Sequence, residues 1–163
     1  MKIYDTSDGV RLVFDELLPK RAHPSDSDTE KKALAKCRER IRESCTVPYR
    51  EYFKSKIGTK PCEQPLVLVY CNFYHGNGYK MMDVDNVDIN FATNQFIKST
   101  YMIPDDSPRC ISVFLTAAEE KTGAIFKEDK RMSGKSHTEA MLCNYEEFTK
   151  LLEKYKGFMQ VYN

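Results

Sequence analysis

Asp83, Asp85 and Asp88 stand close together in the middle of the chain, and Asp105 and Asp106 follow further on. In extended backbone, residues i and i+2 project to the same side. Asp83-Val84-Asp85 therefore sets two carboxylates side by side, an arrangement that repels itself unless a cation sits between them. A hard divalent ion such as Mg²⁺, held by one or two carboxylates and water, is the usual partner. The same residues also read as a solvated turn that caps the helix after them. An EF-hand does not fit, because a loop opening at Asp83 has Asp88 where glycine is needed and Asn94 where the bidentate glutamate belongs. A carboxylate-held Mg²⁺ supplies what phosphodiester hydrolysis requires: an activated water and neutralisation of charge on the phosphate. The sequence has no Gly-x-Ser-x-Gly, Walker A, Gly-x-Gly-x-x-Gly or His-Glu-x-x-His motif. His75, the histidine nearest the acidic cluster, lies among glycines and reads as a solvated loop residue.

A basic stretch accompanies the acidic one. Between Lys31 and Lys60 there are ten lysines and arginines against three glutamates, with Tyr49, Tyr52 and Phe53 interleaved. Lys36, Arg38 and Arg42 belong to this face and are assigned to a phosphate backbone. The alternative is the solvated face of an amphipathic helix. Lys127 to Lys135 forms a second basic segment in a charged surface loop that runs on to His137.

Several elements must position these residues. Ser7-Asp8-Gly9 marks a turn into a strand over Val10 to Phe14. Ser27 and Glu30 form a capping box ahead of a helix whose apolar stripe is Leu34, Cys37, Ile41 and Cys45, with Val47-Pro48 expected to end it. Leu66 to Tyr74 is the clearest strand. A helix with Ile89, Ala92 and Phe96 on one side follows the first acidic group, and Pro104 to Pro108 breaks it. Cys110 to Ala117 reads as a second central strand and Ala124 to Phe126 as a third. Asn144 and Glu147 open a last helix carrying Phe148, Leu151, Leu152 and Tyr155, with Gly157 placed to cap its end.

The 163 residues suit one domain, and we expect an α+β fold with a mixed sheet packed against helices over 1–163. Twenty-five basic and 24 acidic residues leave a net charge of +1, which argues against a polybasic tail but not against a local basic face. No apolar run is long enough for a membrane span, and the N-terminus lacks the apolar stretch of a signal peptide. A cytoplasmic location is expected. Cys37, Cys45, Cys62, Cys71, Cys110 and Cys143 are scattered, without zinc spacing, and read as reduced core residues.

Strand, Asp83-Val84-Asp85-Asn86, helix, Asp105-Asp106-Ser107, strand: this order resembles the RusA-type Holliday junction resolvases, small metal-dependent endonucleases of bacteria and their phages. The resemblance is strongest over 66–126 and does not cover the helix at about 145–156. It implies a RusA-like domain, encoded by a bacterium or phage and serving DNA recombination and repair. By the same resemblance Asp83, Asp85 and Asp106 are the catalytic, metal-binding carboxylates, Mg²⁺ is the cofactor with Mn²⁺ as a substitute, and branched DNA is the substrate of a homodimer. A family lysine four residues after the second aspartate is Ile89 here. Either Lys80 or Lys98 supplies that charge from elsewhere or no basic residue is needed, and both lysines are assigned to DNA. The alternatives are a non-cutting protein that binds branched DNA on the same fold, and an interaction protein with no nucleic-acid role.

Overall fold

Gly9 is where the chain first reverses. Its φ of 132° suits glycine alone, and a Cβ there would stand 2.4 Å from the Leu142 carbonyl oxygen. The turn joins β1 (Lys2–Thr6) to β2 (Gly9–Val13) as an antiparallel hairpin. The structure is a computed structural model that describes residues 1–54, 65–76, 86–103, 108–118 and 124–160, the side chains of 117 and 155–160 excepted.

Helix α1 (Asp28–Phe53) opens with the expected capping box. The Glu30 backbone N–H donates to Ser27 Oγ at 3.3 Å, and the Ser27 N–H donates to Glu30 Oε2 at 2.8 Å. It does not stop at Val47-Pro48 as its sequence suggests. Proline removes one helical hydrogen bond, but the next turn carries Tyr49 and Phe53, both fully buried. Their rings meet Phe96 edge-on at centroid distances of 5.5 and 5.7 Å, and that packing carries the helix past the proline.

Strand β3 (Leu66–Phe73), helix α2 (Ile89–Thr100) and strand β4 (Ile111–Ala118) form a crossover that joins two parallel strands. Asp88 caps α2 through Oδ1, which accepts from the Phe91 N–H at 3.1 Å. Tyr101, at φ 55°, ends the helix in the left-handed conformation.

Strand β5 (His137–Cys143) inserts between β2 and β3, antiparallel to both, and completes the order β1-β2-β5-β3-β4. Helices α1 and α2 cover one face over Leu12, Leu68, Tyr70 and Leu142. On the other face Val67, Val69, Met141 and Cys143 meet Phe148 and Leu151 of α3 (Tyr145–Gln160). Asn144 and Glu147 exchange backbone-to-side-chain bonds at 2.8 and 2.9 Å at its start. Helix α3 runs through Gly157, so that glycine is not a C-terminal cap.

Two further expectations are corrected. Ala124 to Phe126 is not a strand; it bends, and Ile125 and Phe126 are buried, Phe126 lying 6.2 Å from the Phe73 ring. Lys127 to His137 is not simply a charged surface loop either. Asp129 and Met132 are buried around a 3₁₀ turn at Lys130–Met132, and His137 begins β5.

Cys37, Cys45, Cys71 and Cys143 are free thiols. Burial pushes Cys45 up to about 11 and Cys71 and Cys143 up to about 12, so these three behave as small apolar core residues. Cys62 lies outside the described residues. Among those residues no helix is long and apolar enough to cross a membrane.

Candidate nucleic-acid interface

Helices α1 and α2 lie side by side and run in the same direction. Arg38 reaches Asp88 at the start of α2, Thr46 meets Gln95 at its middle, and Phe53 meets Phe96. Residues four apart share a helix face, so Arg42, Thr46 and Arg50 line one side of the seam, and Phe91, Gln95 and Lys98 line the other. They enclose an open groove of about 500 Å³. Its floor is held by Gln95, whose Nε2 donates to Thr46 Oγ1 at 3.1 Å and to Ser99 Oγ at 3.0 Å. Among the described residues, three cations and no carboxylate line it. Arg42 also pairs with Glu39 one turn back and lies 6.0 Å from the Phe91 ring centre.

The structure thus brings Arg42 and Lys98 together and adds Arg50. It places the other assigned residues differently. The Arg38 guanidinium is engaged by the Asp88 carboxylate and sits over Phe91 at 5.8 Å, so it fastens the start of α2 to α1. Lys36 is exposed on α1 but does not line the groove. Ile89, at the family's lysine position, packs half-buried against the core under α1 and α2.

Asp83, Asp85, Asp106 and Lys80 lie outside the described residues. Among the described residues no group of three or more His, Cys, Asp or Glu is arranged to hold a metal. Three aspartates are nevertheless the oxygen donors a hard divalent ion takes. The chain just beyond Asp85 is firmly placed. The Arg21 N–H donates to the Asn86 carbonyl at 2.7 Å, and the Asp88 N–H donates to that of Pro19 at 2.9 Å. Leu18, just before, donates its N–H to Thr138 Oγ1 at 2.9 Å, and Thr138 Oγ1 in turn donates to Asn72 Oδ1 at 2.6 Å. Residues 86–88 therefore stand at the carboxyl end of β3, where ligands of parallel strands generally bind.

A polar network that the sequence did not signal occupies the same end of the sheet, on the face opposite α1. Arg11 Nη1 donates to Glu139 Oε2 and to the Lys127 carbonyl, both at 2.6 Å, and the guanidinium lies 4.6 Å from the centre of the Phe126 ring. Glu139 Oε1 accepts from the Asp129 N–H at 2.7 Å. His75 is not a solvated loop histidine. Its Nε2 pairs with Glu128, and its backbone N–H donates to Ser136 Oγ at 2.9 Å. The Arg131 guanidinium beside Asp129 holds that carboxyl well below the usual range, although burial opposes the shift. Only charged residue types inside an otherwise apolar strand could have signalled this network, because the partners of Arg11 and His75 lie far away in sequence.

The chain matches no family model, no curated protein and no solved structure.

Proposed function

We propose that this protein is a RusA-like, Mg²⁺-dependent endonuclease that cleaves phosphodiester bonds in branched DNA and acts as a homodimer. The observation that carries the nucleic-acid part is the groove between α1 and α2, lined by Arg42, Arg50 and Lys98 and by no carboxylate of the described residues. Arg42 and Arg50 are eight residues apart, about 12 Å along the helix axis. Duplex DNA carries one phosphate per strand for every ~3.4 Å of helix axis, so a groove of that length reaches more than one. The cleavage part rests on the sequence order strand, acidic cluster, helix, acidic pair, strand. In this reading Asp83, Asp85 and Asp106 hold Mg²⁺, which supplies the activated water and offsets phosphate charge. The protein's own described residues bind and orient. Arg42, Arg50 and Lys98 take the backbone, while Arg38 fixes the α2 terminus through Asp88.

A second reading, a non-cutting binder of branched DNA, is favoured by one observation. The position where the family carries a lysine is filled by Ile89, packed against the core.

Reversing charge at Arg42, Arg50 and Lys98 together is the test of the interface. The triple variant should lose at least tenfold in affinity for a four-way junction at low salt. Its plot of log affinity against log salt should flatten by about two to three in slope, near 0.9 for each phosphate that is no longer neutralised. An unchanged affinity and slope would remove the groove from the account. Running the same gel with wild type, with and without Mg²⁺, separates the readings: cut, bound but uncut, or ignored.

A further inference from the structure

His137 is completely buried and lies between two rings. Phe73 is stacked on it at 5.4 Å and 15°, and the His75 ring is parallel to it at 6.5 Å and 2°. Its Nδ1 is 2.6 Å from the Lys135 carbonyl oxygen, which can only accept. Its Nε2 is 2.9 Å from Glu139 Oε1. Both oxygens of that carboxylate already serve as acceptors, Oε2 for the Arg11 guanidinium and Oε1 for the Asp129 N–H. Both imidazole nitrogens therefore face acceptors, and a neutral imidazole, with one N–H, would leave one of them opposing lone pair to lone pair.

We propose that His137 is a buried imidazolium, and that this proton latches residues 127–136 and the exit of β3 onto the sheet. The charges around it balance. Arg11 from β2 and His137 face Glu139 on their own sheet and Glu128 on the covering segment, whose Oε1 stands 3.7 Å from His137 Nδ1 and also pairs with His75 Nε2. Asp129 is neutralised apart from these by Arg131 and also accepts from the Tyr4 hydroxyl at 2.9 Å. Removing one proton leaves the buried Glu139 carboxylate and the part-buried Glu128 carboxylate against one guanidinium. Loss of the Nδ1 proton also breaks the bond from His137 to the Lys135 carbonyl, which holds 127–136 to the sheet beside the bonds from Arg11 of β2 to Lys127, from Asp129 to Glu139 of β5 and from Tyr4 of β1 to Asp129.

The energetics agree in direction. Burial pulls the His137 pKa down, but the bonds to Glu139 and to the Lys135 carbonyl more than offset it, and the net shift is upward. A raised folded value contributes stability that is complete below the unfolded value of about 6.5 and is lost as pH rises through the folded value. The latch is therefore closed around the ordinary histidine value of about 6.5 and released as pH rises through the higher folded value.

The test uses the full chain. Imidazole ¹H–¹⁵N spectra at about pH 7 should show both His137 nitrogens protonated. Amide hydrogen exchange, corrected for the intrinsic rate, should show opening of 127–136 increasing above the folded pKa by up to tenfold per pH unit, one proton's worth. H137Q should open more readily than wild type at neutral pH and lose that pH dependence. If H137Q does not fold, the wild-type titration decides alone. A neutral His137 ring at about pH 7 would overturn the proposal. So would opening that stays flat up to about pH 9, well above the ordinary histidine value, or the same pH dependence in H137Q.

Discussion

Ile89 and Arg38 show how a residue's surroundings redirect its chemistry. Sequence position makes Ile89 the counterpart of a basic residue, but its side chain packs half-buried against the core beneath α1 and α2. Ile89→Lys should therefore lower stability by about 1 kcal/mol, the part of a half-buried isoleucine's transfer energy that a lysine cannot recover. Urea unfolding measures it. A variant as stable as wild type that cuts junctions faster would show that the position is open to substrate after all. Arg38 makes the complementary point. Basic composition assigns it to DNA, whereas the fold pairs it with Asp88, and its Nε is buried with no partner among the described residues. Which arginine is committed and which is open depends on pairings fifty residues apart, and spacing along one helix does not contain them.

At the scale of elements, local rules predicted what local interactions decide. The Ser27–Glu30 and Asn144–Glu147 caps start α1 and α3, and the apolar runs of β3 and β4 form the two parallel strands. Two of the failures come from tertiary override. Strand β5 was hidden because His137, Thr138 and Glu139 look like loop residues until Arg11, Asn72 and Asp129 are brought to them. Helix α1 outlasts Pro48 because Tyr49 and Phe53 need Phe96. The proline is thus a tolerated cost, and Pro48→Ala should stabilise the protein. Restoring a helical hydrogen bond and relieving the ring clash is worth about 3 kcal/mol. Loss of proline's restraint on the unfolded chain takes back about 1 kcal/mol. A net gain of about 2 kcal/mol should appear as a higher denaturant midpoint at constant slope. A lower midpoint would mean that the ring itself is needed in the packing of α1.

On the scale of the whole molecule, the sheet separates two kinds of charge. One face carries the α1–α2 seam with Arg42, Arg50 and Lys98; the opposite face buries Arg11, Glu139 and His137 in one network. Arg50 and Lys98 stand in the last turns of two parallel helices, so they also offset the negative ends of both macrodipoles. That role and phosphate binding need the same residues, and only salt-dependent binding tells them apart. The carboxyl end of β3 is where both faces meet and where residues 86–88, directly after Asp85, are anchored. Cleavage of a four-way junction by wild type and by Asp85→Asn, each with and without Mg²⁺, tests the central claim most directly. The account predicts Mg²⁺-dependent incision by wild type. Asp85→Asn should lose it by at least a hundredfold while binding the junction as well or better, since asparagine keeps the size but not the charge that holds the ion. Tight binding by wild type with no incision in Mg²⁺ or Mn²⁺, or undiminished cutting by Asp85→Asn, would contradict it.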